Sequence, residues 1–297
     1  MPHHHHGHDS LHHDVDNIKT AFFLNLGFTI IEIIGGLYVN SVAIISDAIH
    51  DLGDSLSLGM SWYFQKISHR GRTLTYSYGY KRFSVLSAII NSLVLLLGSV
   101  FILYETIPRL LAPVQPNANG MILLSILGVI VNGAAVLKTR KGKTANEKVV
   151  SLHLLEDVMG WVAVLIGSLI MRVTDFPIID PILSMLIAGY ILFNVFRNLK
   201  DSLKIILQSI PPEVDTQSLE NKLLKIESVT KVHDMHTWSM DGNYHIMTLH
   251  LVLDRSVDLE RGSEIKAQAR NILRAGEINH VTIELETPDE HCELEDC

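Results

Sequence analysis

Apolar positions gather in long blocks over residues 18–197, separated by short polar connections. Each block is close to the roughly 20 residues that a helix needs to cross the hydrocarbon of a bilayer. The pattern predicts spans at 18–39, 41–65, 81–104, 119–137, 149–172 and 178–197. Past residue 205 the rhythm shortens, and "QSIPPEVD", with Pro211 and Pro212, marks a boundary. Residues 213–227 read as a helix. "VTKVHDMHTWSM" and "YHIMTLHLVLD" read as strands around Asp241-Gly242, a hairpin signal. A helix over 257–275 and a strand at 280–286 follow. The predicted fold is an α-helical membrane protein with six transmembrane helices, then a small α+β domain (αββαβ, ferredoxin-like). Its parts are a histidine-rich tail at 1–17, a membrane domain at 18–205, the α+β domain at 206–286 and a tail at 287–297.

Charge adds an orientation. The link between spans two and three carries Lys66, Arg70, Arg72, Lys81 and Arg82. The link between spans four and five carries Lys138, Arg140, Lys141, Lys143 and Lys148, and Arg197, Lys200 and Lys204 follow span six. The alternate connections hold only Arg109 and Arg172. Basic loops stay in the cytoplasm, so both termini are predicted to be cytoplasmic. Mean hydropathy is +0.25, and the net charge of −8 comes largely from the C-terminal part. That balance leaves no electrostatic footprint for nucleic acid. The start of the chain lacks the basic region and cleavage site of a secretory signal. Cys292 and Cys297 are the only cysteines, and a reducing compartment would keep them as thiols.

The candidate chemistry lies inside the spans. "SVAIISDAIHDLGDSLSL" is apolar apart from Asp47, His50, Asp51 and Asp54. At about 100° per residue, all four fall on one narrow arc of a helix. A charge at bilayer depth costs roughly 2.5–3.5 kcal/mol on insertion scales, so such a face needs a use. The alternative, a solvated helix end, fits Asp47 better than the deeper His50 and Asp54. Span five repeats the grammar in "SLHLLEDVMGWVAVL", where His153 and Asp157 stand four apart with Glu156 between them. Two H-x-x-x-D pairs on separate helices offer two imidazoles and two carboxylates. That donor set suits tetrahedral Zn²⁺ and serves Mg²⁺ or Ca²⁺ poorly.

These motifs resemble the cation diffusion facilitator family, in its zinc-type branch and its bacterial zinc/cadmium/cobalt efflux subgroup. "SDAIHDLGDSLSL" resembles the second-helix motif S-D-A-x-H-x-x-x-D. "YSYGYKRFSVLSAIINSLVLL" is similar to the start of its third helix, "LHLLEDVMGWVAVLIGSLI" to its fifth, and "DPILSMLIAGYIL" to its sixth. "VHDMHTWSM" followed by "MTLHLVL" resembles its cytoplasmic domain. The resemblance implies a homodimeric antiporter in a bacterial inner membrane, exchanging Zn²⁺ (with Cd²⁺ or Co²⁺ as further substrates) for H⁺ by alternating access. It assigns His50, Asp54, His153 and Asp157 to the transport site and no organic cofactor. His50, in place of the aspartate of manganese- or iron-type relatives, points to zinc. It also implies a cytoplasmic metal site of His233, His250 and Glu284, with Glu286 on the same strand.

Several residues lie outside that four-ligand set. Asp47 matches the motif one turn away and reads as an orienting residue; Asp51 and Glu156 have no assigned role. Asp180 reads as a structural residue at the start of span six. Asn25, Glu32, Asn91 and Asn132 read as interhelical hydrogen-bonding residues facing the bundle, Glu32 being the one with a claim on transport. Some relatives carry a metal site in the loop before helix three. Here that loop reads "RTLTYSYGYKR", and His69 is the one imidazole nearby, so no such site is expected. His236 and His245 read as residues supporting the cytoplasmic site or as ordinary strand residues, the pattern favouring the latter. The seven histidines among the first thirteen residues fit an expression tag or a metal-gathering tail, and their number favours the tail. "HCELEDC" fits soft metal capture or an unstructured end equally. Two other functions compete: a membrane zinc hydrolase, which needs an open coordination position and a base such as Asp51 or Glu156, and a membrane-anchored metal sensor. The first lacks an H-E-x-x-H or nucleophile motif. The second does not explain ligand pairs buried in the spans.

Overall fold

The computed structural model describes residues 8–68, 72–139 and 145–290, with side chains outside 8–21, 138–153 and parts of 58–68. Long helices come first: α1 (His8–Val39), α2 (Val42–Ser68), α3 (Phe83–Leu111), α4 (Ala118–Thr139), α5 (Ala145–Thr174) and α6 (Ile179–Ile206). Five of them are long and apolar enough to cross a membrane. α2 carries Asp47, Asp51 and Asp54. It is the sixth helix of the block, and the chain is a multi-pass membrane protein.

The helices overrun their predicted ends. α1 begins at His8, inside the tract expected to be a tail. α3 continues to Leu111 through Pro108, and α6 to Ile206. Hydropathy marks where lipid ends, whereas backbone hydrogen bonding continues until a turn residue stops it.

The chain divides into two compact units. The first comprises Met1–His69 and Ser87–Leu199. Its core joins Val39, Ala43, Ile44, Met121, Trp161, Val164 and Met171, and Leu95 packs with Ile191 and Val195 between α3 and α6. Lipid supplies no hydrophobic drive between helices, so close approach at small residues does the packing. Gly128 lies under the Trp161 indole, where an added Cβ would sit 2.1 Å from a ring carbon. α2 and α3 interlock reciprocally. A Cβ on Gly53 would meet Leu95 at 2.4 Å, and one on Gly98 would meet Ile49 at 2.4 Å. Both contacts flank the turn that carries His50 and Asp54.

The second unit comprises Arg70–Leu86 and Lys200–Cys297. It contains α7 (Thr216–Leu223), β1 (Val229–Ser239), β2 (His245–Leu253), α8 (Leu259–Ala275) and β3 (Ile278–Glu286). The predicted αββαβ order is observed. The sheet runs β1-β2-β3, with β1 antiparallel and β3 parallel to β2. The β1–β2 turn forms where expected. Gly242 adopts φ +94, and the Asp241 carboxylate accepts from the Asn243 and Tyr244 amides at 3.0 and 2.8 Å. α7 and α8 are capped by Asp215 and Asp258, and Leu219, Leu223, Ile265, Ala269 and Leu273 seal the sheet's inner face.

Candidate metal sites

α2 positions His50 and Asp54 one turn apart, and α5 brings Asp157 to them. His50 Nε2 lies 3.7 Å from Asp54 Oδ2 and 3.9 Å from Asp157 Oδ1. The three donor atoms all fall within 4.8 Å of one another. Zinc with ligands at 2.0–2.2 Å spaces them about 3.3–3.6 Å apart, so a small contraction would close the set. The fourth expected ligand, His153, belongs to α5 one turn before Asp157, and its side chain lies outside the described residues.

The neighbouring acids separate by direction. Asp47 points towards Gly160 of α5, where an added Cβ would stand 3.5 Å from its Oδ1. A larger residue there would push against the carboxylate. Asp51 is buried and turns to α1, where its charge acts on the buried Glu32. Asn25 of α1 donates to the Asp51 carbonyl at 3.1 Å and to Ser55 Oγ at 3.0 Å. Glu156 turns away from the cluster and accepts from the Tyr190 hydroxyl at 2.8 Å. Asp180 is structural, but in an unexpected way, because it caps α2 and not its own helix.

In the second unit His233 and His250 are directly paired across β1 and β2. The Glu286 carboxylate spans them, accepting from His233 Nε2 at 2.8 Å and from His250 Nδ1 at 2.5 Å. These three form the second group with metal-binding geometry among the described residues. The expected carboxylate, Glu284, lies outside this group of three. Although it pairs in register with His250, its side chain is 63 % exposed and stands 3.5 Å from His250 Nε2. A carboxylate bridging two buried imidazoles must itself be buried, and Glu286 at the strand's end is. Sequence reasoning also missed Asp234. A bulge between His233 and His236 puts it at φ 47, with its carboxylate 3.4 Å from His250 Nε2 and 2.7 Å from His236 Nε2. The non-glycine left-handed residue that creates this contact leaves no mark in hydropathy.

In the 72–82 loop, Tyr78 stacks edge-on against His280 at 5.6 Å and Lys81 Nζ lies 4.1 Å over the Tyr244 ring. His69, the first seven residues of the histidine tract, and His291, Cys292 and Cys297 lie outside the described residues.

Comparison with known proteins agrees with this division. Residues 18–207 match the cation efflux transmembrane domain, and residues 211–288 match the cation efflux protein cytoplasmic domain. The metal cation efflux system protein CzcD of Cupriavidus metallidurans is 32% identical over 95% of this chain and 89% of its own length. The cadmium, cobalt and zinc/H(+)-K(+) antiporter of Bacillus subtilis is 31% identical, over 90% of this chain and 87% of its own. The zinc transporter ZitB of Pectobacterium atrosepticum is 31% identical, over 96% and 91%. With one family domain on the helical block, the other on the sheet, and relatives aligned almost end to end, the chain belongs to the cation efflux family of metal-cation transporters and is not an enzyme.

Proposed function

We propose that the chain exports Zn²⁺ from the cytoplasm in exchange for protons, with Cd²⁺ and Co²⁺ as substrates of the same donor class. The convergence of His50, Asp54 and Asp157 from two helices carries this reading, and His153 completes two nitrogens and two carboxylate oxygens. Such a set prefers zinc to oxygen-seeking cations. The relatives named for zinc, cadmium and cobalt transport support the same substrate class.

The exchange follows from the ligands. Zinc takes neutral imidazole and ionised carboxylate, so loading expels protons and protonation expels the metal. Histidine titrates near pH 6.5 when unperturbed, which suits release where protons are plentiful. Alternating access needs the ligand helices to move against the rest of the bundle around a fixed midplane site. The basic connections support cytoplasmic termini, the membrane being a bacterial inner membrane on this reading, and the working unit is a homodimer, in keeping with the cytoplasmic domain's family.

The second unit holds a regulatory zinc between His233, His250 and Glu286, with Asp234 and Glu284 at its edge. In zinc-loaded vesicles, Asp54→Ala or His153→Ala should abolish saturable zinc flux while the protein elutes as the intact assembly. Undiminished flux in both variants would refute the site.

A further inference from the structure

The N-terminus of α2 is held by a residue of another helix. The Asp180 carboxylate of α6 accepts from Ser41 Oγ at 2.5 Å, from the Val42 amide at 2.9 Å and from the Ala43 amide at 3.3 Å. Ser41 already serves as a local cap, accepting from the Ile44 amide at 3.2 Å. The first amides of a helix need acceptors, and the positive end of its dipole favours an anion. A local side chain could meet that need. Using a carboxylate from α6 additionally ties two helices together. Ser41 and Asp180 are both buried, so water does not substitute for the tie.

A second tie reaches the same corner from α3. Arg109 Nη1 donates to the Asn40 carbonyl at 3.0 Å, and its charge acts on Asp180 as well. Asn40 itself sits at φ 56, turning the chain sharply between α1 and α2. α3 and α6 are in turn joined by Thr106 and Ser184, whose hydroxyls lie 3.0 Å apart. One helix pair thus grips the corner of α1 and α2 at two points. The grip lies about 12 Å along α2 from His50, at 1.5 Å per residue. Every connection at this end of the unit, α1–α2, α3–α4 and α5–α6, is one of those poor in lysine and arginine, which the orientation argument places outside the cytoplasm.

We infer that Asp180 and Arg109 form the outer latch of the transport pathway, holding the α3/α6 pair against the α1–α2 corner and closing the site to the outer face until they release it. The inference rests on the proposed zinc transport and its orientation. Release would open the outer end of α2 while leaving His50 and Asp54 one turn apart on it. Asp180 is a positioning residue here, acting through the helix that bears the ligands.

The test compares the zinc concentration for half-maximal flux at each face, using inside-out and right-side-out vesicles. For Asp180→Asn and, independently, Arg109→Gln, the ratio of outer-face to cytoplasmic-face half-saturation should fall about ten-fold, the scale of one lost charge-assisted hydrogen bond. Ser41→Ala should move it the same way by less. A general loss of structure would lower the maximal rate and leave the ratio unchanged, and that result in Arg109→Gln overturns the latch whether or not Asp180→Asn folds. Absence of saturable zinc flux in the unsubstituted chain would overturn the transport reading itself, and the latch with it. A normal unsubstituted chain with unmoved ratios in the variants overturns the latch alone.

Discussion

Six carboxylates (Glu32, Asp47, Asp51, Asp54, Glu156 and Asp157) and His50 crowd the middle of the helical unit, and their directions decide their roles. His50, Asp54 and Asp157 converge, Asp51 faces Glu32 on α1, and Glu156 faces Tyr190 on α6. Periodicity put Asp47, His50, Asp51 and Asp54 on one arc, yet an arc of a helix still touches two neighbours. Which neighbour each acid meets depends on packing with α1 and α5, and spacing does not encode it. Glu156→Gln should therefore leave the zinc half-saturation within about two-fold of the parent, a change well under the ten-fold that 1.4 kcal/mol represents. Asp157→Asn, one residue on, should raise it more than ten-fold. Equal effects from the pair, in side-by-side titrations, would show that Glu156 shares the site. Gly160→Leu should also weaken zinc binding, because the side chain would press on Asp47, whose Oδ1 lies 3.5 Å from an added Cβ.

At the level of elements, the ligand helix is held by shape on one side and by polar contacts on the other. Gly53 and Gly98 exchange places with Leu95 and Ile49 across α2 and α3, fixing the turn that carries His50 and Asp54. Gly98→Val overpacks this contact and should cost about 1–3 kcal/mol, read as a lower unfolding temperature of the detergent-solubilised protein. An unchanged temperature would mean that α2 and α3 are not in close contact in the folded protein. Element types were legible in the sequence because long apolar blocks and a hairpin-forming Asp-Gly leave few alternatives. Helix ends were less so: α1 starts at His8 and α6 runs to Ile206, beyond the stretches that hydropathy can mark. The carboxylate that bridges the two cytoplasmic histidines was less legible for a related reason. Parallel pairing sets Glu284 beside His250, but burial at the strand's end, which the pattern of residues does not reveal, gives the contact to Glu286.

For the molecule as a whole, each unit carries, among the described residues, one group of side chains spaced so that it could hold a metal ion, one in the membrane block and one in the sheet. The proposed division of labour is transport in the first and regulation in the second. Equilibrium zinc binding to the full chain should fall by one ion per protomer in His250→Ala, with flux retained at high zinc. It should also fall by one in Asp54→Ala, with flux lost. If His250→Ala binds as much zinc as the parent, the cytoplasmic triad is a hydrogen-bonded cluster and holds no metal.

The central claim is that zinc leaves through the His50, Asp54, His153 and Asp157 set in exchange for protons. The most direct measurement records zinc and pH together in sealed proteoliposomes, with dyes for each trapped inside. A zinc gradient should drive proton movement in the opposite direction, an imposed proton gradient should drive zinc uphill, and both signals should vanish together in Asp54→Ala. Zinc movement without any pH change, or proton coupling that survives loss of Asp54, would contradict it.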